Sequence, residues 1–214
     1  MIRSHDFVVW LKDIDKDDVL YVGGKGANLG EMMSAKFPVP DGFVLTSYAY
    51  QKFVKENQVD LKIKHLLGTI NYNNPDSINQ VSAHIRKIIT TSKIPDAISS
   101  QVFKYYSQMG KNPLVAIRSS ATSEDSKTAS FAGQQETFLN IKGEASVIER
   151  IRDAWASLFQ ARAVFYRHEN KFDNSKASIA LVVQEMIQPD VSGIMFTIDP
   201  VTNDKSRVVI EAIY

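Results

Sequence analysis

The chain has 214 residues, 25 Lys+Arg against 24 Asp+Glu, and 44% hydrophobic content. That length and composition suit one large or two small globular domains with a real core. The formal charge of +1 lacks the basic excess of a dedicated nucleic-acid binder, and the absence of cysteine excludes thiolate catalysis, disulfides and Cys-ligated zinc. A small anionic ligand remains compatible, since it needs only a few local cations.

The first apolar run, Phe7 to Leu11, gives way at once to Lys12, Asp13, Asp15 and Lys16. It is too short for a signal-peptide core or for the roughly 18 apolar residues of a membrane span, and the expectation is a soluble, cytoplasmic protein. That run reads as a strand. Gly23-Gly24-Lys25-Gly26 then opens a helix to about Ala35, with Leu29, Met32 and Met33 as its apolar face. Pro38-Val39-Pro40-Asp41-Gly42 is a rigid turn, because each proline fixes φ and restricts its predecessor. A short strand, Phe43 to Thr46, precedes a helix for which Ser47 is the expected N-cap.

From about residue 58 to 110 the pattern is helical. Ile78, Val81, Ile85, Ile88 and Ile89 mark one helix, and Ile98, Val102, Tyr105 and Tyr106 another. At Lys111-Asn112-Pro113 the character changes. Leu114 to Ile117 reads as a strand, Ser119 to Gly133 as a small-residue polar loop, and Glu136 to Ile141 as a strand. A long helix is expected from about Ala145 to Asn170, with Ile148, Ile151, Trp155, Leu158 and Phe165 on one stripe. Strand-like segments follow at 178–187, 193–198 and 207–213. The chain stops inside an apolar run, whereas termini are usually polar and exposed; the expectation is a piece of a longer protein.

Three segments suit a nucleotide. Glycines at 23, 24 and 26 let the backbone approach a ligand closely, the following helix N-terminus offers N–H groups to an anion, and Lys25 adds a mobile charge. Lys25 is followed by Gly26 rather than Ser or Thr, so this is not a Walker A loop, and a plain turn with a solvated lysine is the alternative. Arg118 follows four apolar strand residues, which would project its guanidinium from a strand end, a placement suited to bidentate phosphate contact. The long loop after it is either functional or a flexible surface segment. Gln184-Glu185-Met186-Ile187 leads from a strand into a Pro-containing turn and could offer a purine both hydrogen bonds and apolar contact, or be only a strand end. The histidines at 5, 65, 84 and 168 are scattered and show no metal-site spacing.

Taken together, VGGKGANLGEM (Val22 to Met32), PVPDGFVLT (Pro38 to Thr46), AIRSSA (Ala116 to Ala121), ASFAGQQETFLN (Ala129 to Asn140), VQEMI (Val183 to Ile187) and SGIMFTIDPVT (Ser192 to Thr202) resemble the phosphoenolpyruvate synthase and pyruvate, phosphate dikinase family. Rifamycin phosphotransferases are an equally close likeness. The matches run in one order along the chain, apart from the helical insert. The resemblance implies an α+β fold: the N-terminal portion of an ATP-grasp-like nucleotide-binding domain, divided into residues 1–110, with the insert, and residues 111–214. It implies that Lys25 and Arg118 contact ATP phosphates, that Gly133 lies in the loop closing over them, and that Thr137 lies beside them. Gln184 would face the adenine, with Glu185, Met186 and Ile187 as its hinge. The family's Mg2+ ligands, phosphohistidine and acceptor domain would all lie beyond residue 214. The parent activity implied is transfer of the ATP β-phosphoryl group, through that histidine, to pyruvate, giving phosphoenolpyruvate, AMP and phosphate. A rifamycin-type phosphotransferase and a non-catalytic nucleotide-binding module are the alternatives. The 214 residues alone are expected to bind ATP weakly, without turnover.

Overall fold

The computed structural model describes residues 5–121 and 136–213. Five antiparallel strands form one sheet in the order β1 (Val8–Trp10), β2 (Gly42–Leu45), β5 (Ile179–Glu185), β3 (Leu114–Ala121), β4 (Thr137–Lys142). Strands from before and after residue 110 therefore share one hydrogen-bonded layer. β5 is the central strand and is apolar on both faces, as a strand covered on both sides must be. Side-chain alternation sends Ile179, Leu181 and Val183 to one face, and Ala180 and Val182 to the other.

The first face carries the larger core. Helices α2 (Ser47–Glu56), α3 (Val59–Leu67), α4 (Pro75–Thr91), α5 (Asp96–Gln108), α6 (Glu144–Ala156) and α7 (Ala161–Glu169) supply its apolar residues, around a fully buried Trp155. The expected all-helical stretch from 58 to 110 is present as α3 to α5. Helix α2 is capped by Thr46, whose hydroxyl accepts from the Ala49 N–H at 3.3 Å; Ser47 is instead its first helical residue.

The long helix expected over 145–170 is broken. A 3₁₀ turn, Ser157–Phe159, ends α6, and Gln160 adopts extended geometry (φ −60°, ψ 141°) before α7 begins. The break changes the phase of the buried stripe, so Ala163, Val164 and Arg167 face inward while Phe165 stays exposed. Gln160 is held there by donating to the Glu136 carboxylate and accepting from Arg162 Nε.

Among the described residues the second face is covered by one helix, α1 (Val19–Ser34), lying across β3 and β5. Its fully buried residues are Val22, Gly23, Gly24, Gly26, Ala27 and Gly30; of the face expected from hydropathy, Leu29 and Met33 pack half-buried against the same core, and Met32 is exposed. Close approach explains the difference. A Cβ at Gly30 would lie 2.5 Å from the Ile14 carbonyl oxygen, and one at Gly26 2.9 Å from Val22 Cβ. A second sheet, the hairpin of β6 (Ser192–Phe196) and β7 (Val209–Ile213), stands apart with its apolar side chains largely exposed.

Candidate functional site

Strand β3 does not stop at Ile117. It runs on through Arg118, Ser119 and Ser120 to Ala121, paired with β5 from Val115 to Ala121, so the expected loop begins later than Ser119. Arg118 is therefore not at a strand end. It sits in mid-strand, opposite Val182 on β5 and Thr137 on β4. Directly opposed residues of an antiparallel pair share a face, and Val182 belongs to the core beneath α1. Arg118 and Thr137 thus lie on the α1 face. Gln184, opposite Ala116 and Gly42, lies on it too.

Lys25 comes to this face on α1. The helix is interrupted at Gly23, whose φ of 68° and ψ of 170° fall outside the helical region and favour glycine, so helical geometry restarts at Gly24. Gly23 packs so tightly on β3 that a Cβ there would lie 2.5 Å from the Ser120 carbonyl oxygen. Ser120 Oγ accepts a hydrogen bond from the Gly26 N–H at 3.3 Å. Part of the amide cluster expected to be open to an anion is therefore already engaged by a strand serine. Sequence reasoning missed Ser120 by assigning it to a loop; its signal was the apolar run Leu114 to Ile117 continuing into small residues able to pack under a helix.

At the other end of β3, Gln184 is buried and its Nε2 donates to the Pro40 carbonyl at 3.1 Å, which ties the proline turn to β5. The Glu185 N–H donates to the Asp41 carbonyl at 2.8 Å and the Met186 N–H to the Leu114 carbonyl at 2.9 Å. Of the three expected hinge residues, only Ile187 has an N–H with no hydrogen-bond partner among the described residues. Ile187 is also exposed. The Glu185 side chain lies towards the helical face, since its opposite residue, Val115, belongs to the larger core. Gly133 lies outside the described residues.

The arrangement is linear. Along β3 come Leu114 beside Met186, Ala116 beside Gln184, Arg118 beside Thr137, and Ser120 beneath the glycine turn that carries Lys25. Four strand steps from Leu114 to Arg118 span about 13 Å, which suits a purine at one end and a polyphosphate at the other. Elsewhere, a cavity of about 510 Å³ at the β1 edge is lined by Asp6 and Asp13, carboxylates that would repel a polyphosphate, and one of about 360 Å³ beside α4 sets Arg86 and Lys87 against Glu136 and Asp153. Among the described residues no group of three His, Asp or Glu is placed to hold a metal ion. Among the histidines, His168 stacks on Tyr72 with ring centroids 3.5 Å apart.

The two strongly perturbed titratable groups lie away from this face. Burial holds the Tyr50 phenol well above its ordinary value and lowers the Arg167 guanidinium to about 10. The Arg167 Nε donates to Asn174 Oδ1 at 2.6 Å and its NH2 group to the Leu158 carbonyl. That network fastens α7 to the following chain.

The chain belongs to the pyruvate phosphate dikinase AMP/ATP-binding domain family, whose match covers residues 19–214. It is 46% identical over 210 residues to a probable phosphoenolpyruvate synthase of Methanothermobacter thermautotrophicus, covering 96% of this chain and 31% of that protein. A phosphoenolpyruvate synthase of Aeropyrum pernix is 46% identical over 213 residues, covering 97% of this chain and 26% of the relative. A rifampicin phosphotransferase of Bacillus cereus is 40% identical over 207 residues, covering 96% and 24%. The chain thus spans less than a third of the length of these relatives. No helix among the described residues is long and apolar enough to cross a membrane.

Proposed function

We propose that the chain binds ATP on the α1 face of its sheet, as the N-terminal portion of an ATP-grasp-like domain in a phosphoenolpyruvate synthase-like dikinase. The observation that carries this is the order along β3, which runs from a purine-suited end at Met186 and Ile187 to a cationic end at Arg118 and Lys25. Arg118 and Lys25 bind the polyphosphate, with the Thr137 hydroxyl beside Arg118. The adenine edge is taken up by the Ile187 N–H and the Glu185 carbonyl. Gln184, fixed to Pro40, shapes the floor beneath the base, and Met186 supplies apolar contact.

In the parent protein the β-phosphoryl group of ATP passes to a histidine on another domain and from there to pyruvate. The γ-phosphoryl group goes to water, leaving AMP and phosphate. The part played by the present residues is to bind and orient the nucleotide. A drug hydroxyl in place of pyruvate is the alternative acceptor, since the synthases match at 39–46% identity and the rifampicin phosphotransferase at 40%.

Calorimetric titration of the chain with ATP, beside an Arg118→Ala variant, tests the reading. Charge-assisted hydrogen bonds contribute about 1.5–3 kcal/mol, so the variant should bind about tenfold more weakly or worse. Equal affinity would remove Arg118, and with it the proposed phosphate end.

A further inference from the structure

Ser120 has no assigned role, yet it is fully buried and makes two contacts with the glycine turn. Its carbonyl oxygen sits where a Gly23 Cβ would fall, and its hydroxyl accepts from the Gly26 N–H. Gly23 and Gly26 bracket Lys25 in sequence. Ser120 is also two residues from Arg118 on the same face of β3, because residues i and i+2 of a strand point the same way. One side chain therefore joins the element that carries Lys25 to the strand that carries Arg118.

We infer that Ser120 is a positioning residue, which holds the Gly23–Gly26 turn against β3 so that Lys25 and Arg118 converge on one polyphosphate. The inference rests on the nucleotide reading above and deepens it. The register of the turn is over-determined: the positive φ of Gly23 permits the close approach, the missing Cβ makes room for the Ser120 carbonyl, and the hydroxyl fixes how far along the strand the new helical segment starts. Without the hydroxyl, the Gly26 N–H loses its acceptor in a buried site, and the segment carrying Lys25 is free to shift relative to Arg118. The neighbouring Ser119 works on the opposite face, where its N–H and its hydroxyl both donate to the Glu136 carbonyl, at 3.3 and 3.1 Å. The run Arg118-Ser119-Ser120 thus fixes the glycine turn on one side of the sheet and the entry into β4 on the other.

The test compares the unaltered chain with Ser120→Ala and with Ser120→Cys, which keeps the volume while offering a poor acceptor. Ser157→Ala is the control, since it also loses a buried hydroxyl bond, to the Ala154 carbonyl at 2.7 Å, but on the helical side. Amide exchange at Gly26 is read by NMR without ligand, and ATP, adenosine and inorganic tripolyphosphate are each titrated. A lost hydrogen bond is worth about fivefold. Both Ser120 variants should speed Gly26 exchange at least that much and weaken ATP and tripolyphosphate by about fivefold or more, with adenosine unchanged. Ser157→Ala should alter neither exchange at Gly26 nor the ratio of ATP to adenosine affinity. Unaltered Gly26 exchange, or equal losses of ATP and adenosine in the Ser120 variants, would overturn the role. Failure of the unaltered chain to bind any of the three counts against the nucleotide reading itself, and Gly26 exchange then decides alone whether Ser120 holds the turn.

Discussion

A methyl group added at Gly30 would lie 2.5 Å from the Ile14 carbonyl oxygen and 2.8 Å from Ile14 Cβ, both parts of the chain that cannot swing aside. Alanine is ordinarily the better helix residue by roughly 1 kcal/mol, so the sign at this position is informative. Gly30→Ala should destabilise by about 1–3 kcal/mol, the usual range for overpacking, as a lower urea midpoint. A gain in stability would mean that α1 stands further from the Ile14 segment than described. Tyr50 offers a second residue-scale expectation, this time in pH. Below its ordinary value of 10.0 both folded and unfolded chains keep the phenol proton, and the group contributes no pH dependence. Above that value the unfolded chain ionises while burial makes the folded one retain its proton, so stability falls as pH rises. Tyr50→Phe removes this term and should move the alkaline unfolding midpoint to higher pH, followed by far-UV circular dichroism.

Among the elements, α6 contributes the largest fully buried side chain, Trp155, against Phe53 at 4.7 Å and Tyr50 at 5.9 Å between ring centroids. Trp155→Ala should cost about 3–5 kcal/mol, read as a loss in denaturation free energy. The core of this element was legible in sequence, because Ile151 and Trp155 recur at helical spacing. Its end was not. Gln160 is neither proline nor glycine, and it leaves helical geometry because Glu136, distant in sequence, draws its side chain into a hydrogen bond. The same kind of long-range cause lengthened β3: Ser119 and Ser120 have loop-like composition, yet pairing with Leu181 and Ala180 keeps them in the sheet. At the candidate site, residue chemistry pointed to anion and purine contacts, and the structure puts Lys25, Arg118, Thr137 and Gln184 on a common face. What local pattern could not supply was the register across β3, β4 and β5, since only paired strands determine which residues stand opposite one another. Apolar periodicity found Leu29 and Met33 on the inner side of α1 but not the buried glycines, whose place is set by proximity rather than hydropathy.

At the scale of the whole molecule, two environments coexist. The centre of the five-stranded sheet is covered on both faces, whereas the β6–β7 hairpin leaves Met195 62% and Ile210 67% exposed, directly opposite each other. Contiguous apolar surface of this kind favours association. The 214-residue chain should bind a hydrophobic dye and self-associate with rising concentration, by light scattering. A Met195→Lys, Ile210→Glu double variant, which keeps an attractive cross-strand pair, should lose both properties with its thermal midpoint nearly unchanged. Undiminished dye binding in that variant would locate the sticky surface elsewhere.

The position of β5 has a consequence for biosynthesis. It is the middle strand of the sheet and also the last of the five to be translated. Until residue 185 has left the ribosome, the β1–β2 pair and the β3–β4 pair have no strand between them, and β2 and β3 each present an open edge. Domains tend to form as units during synthesis, but this sheet can close only when its keystone arrives. Between the emergence of β4 and that of β5 the nascent chain therefore has its helices and two half-sheets, and the face that would cradle the nucleotide comes into being in a single step, when β5 arrives.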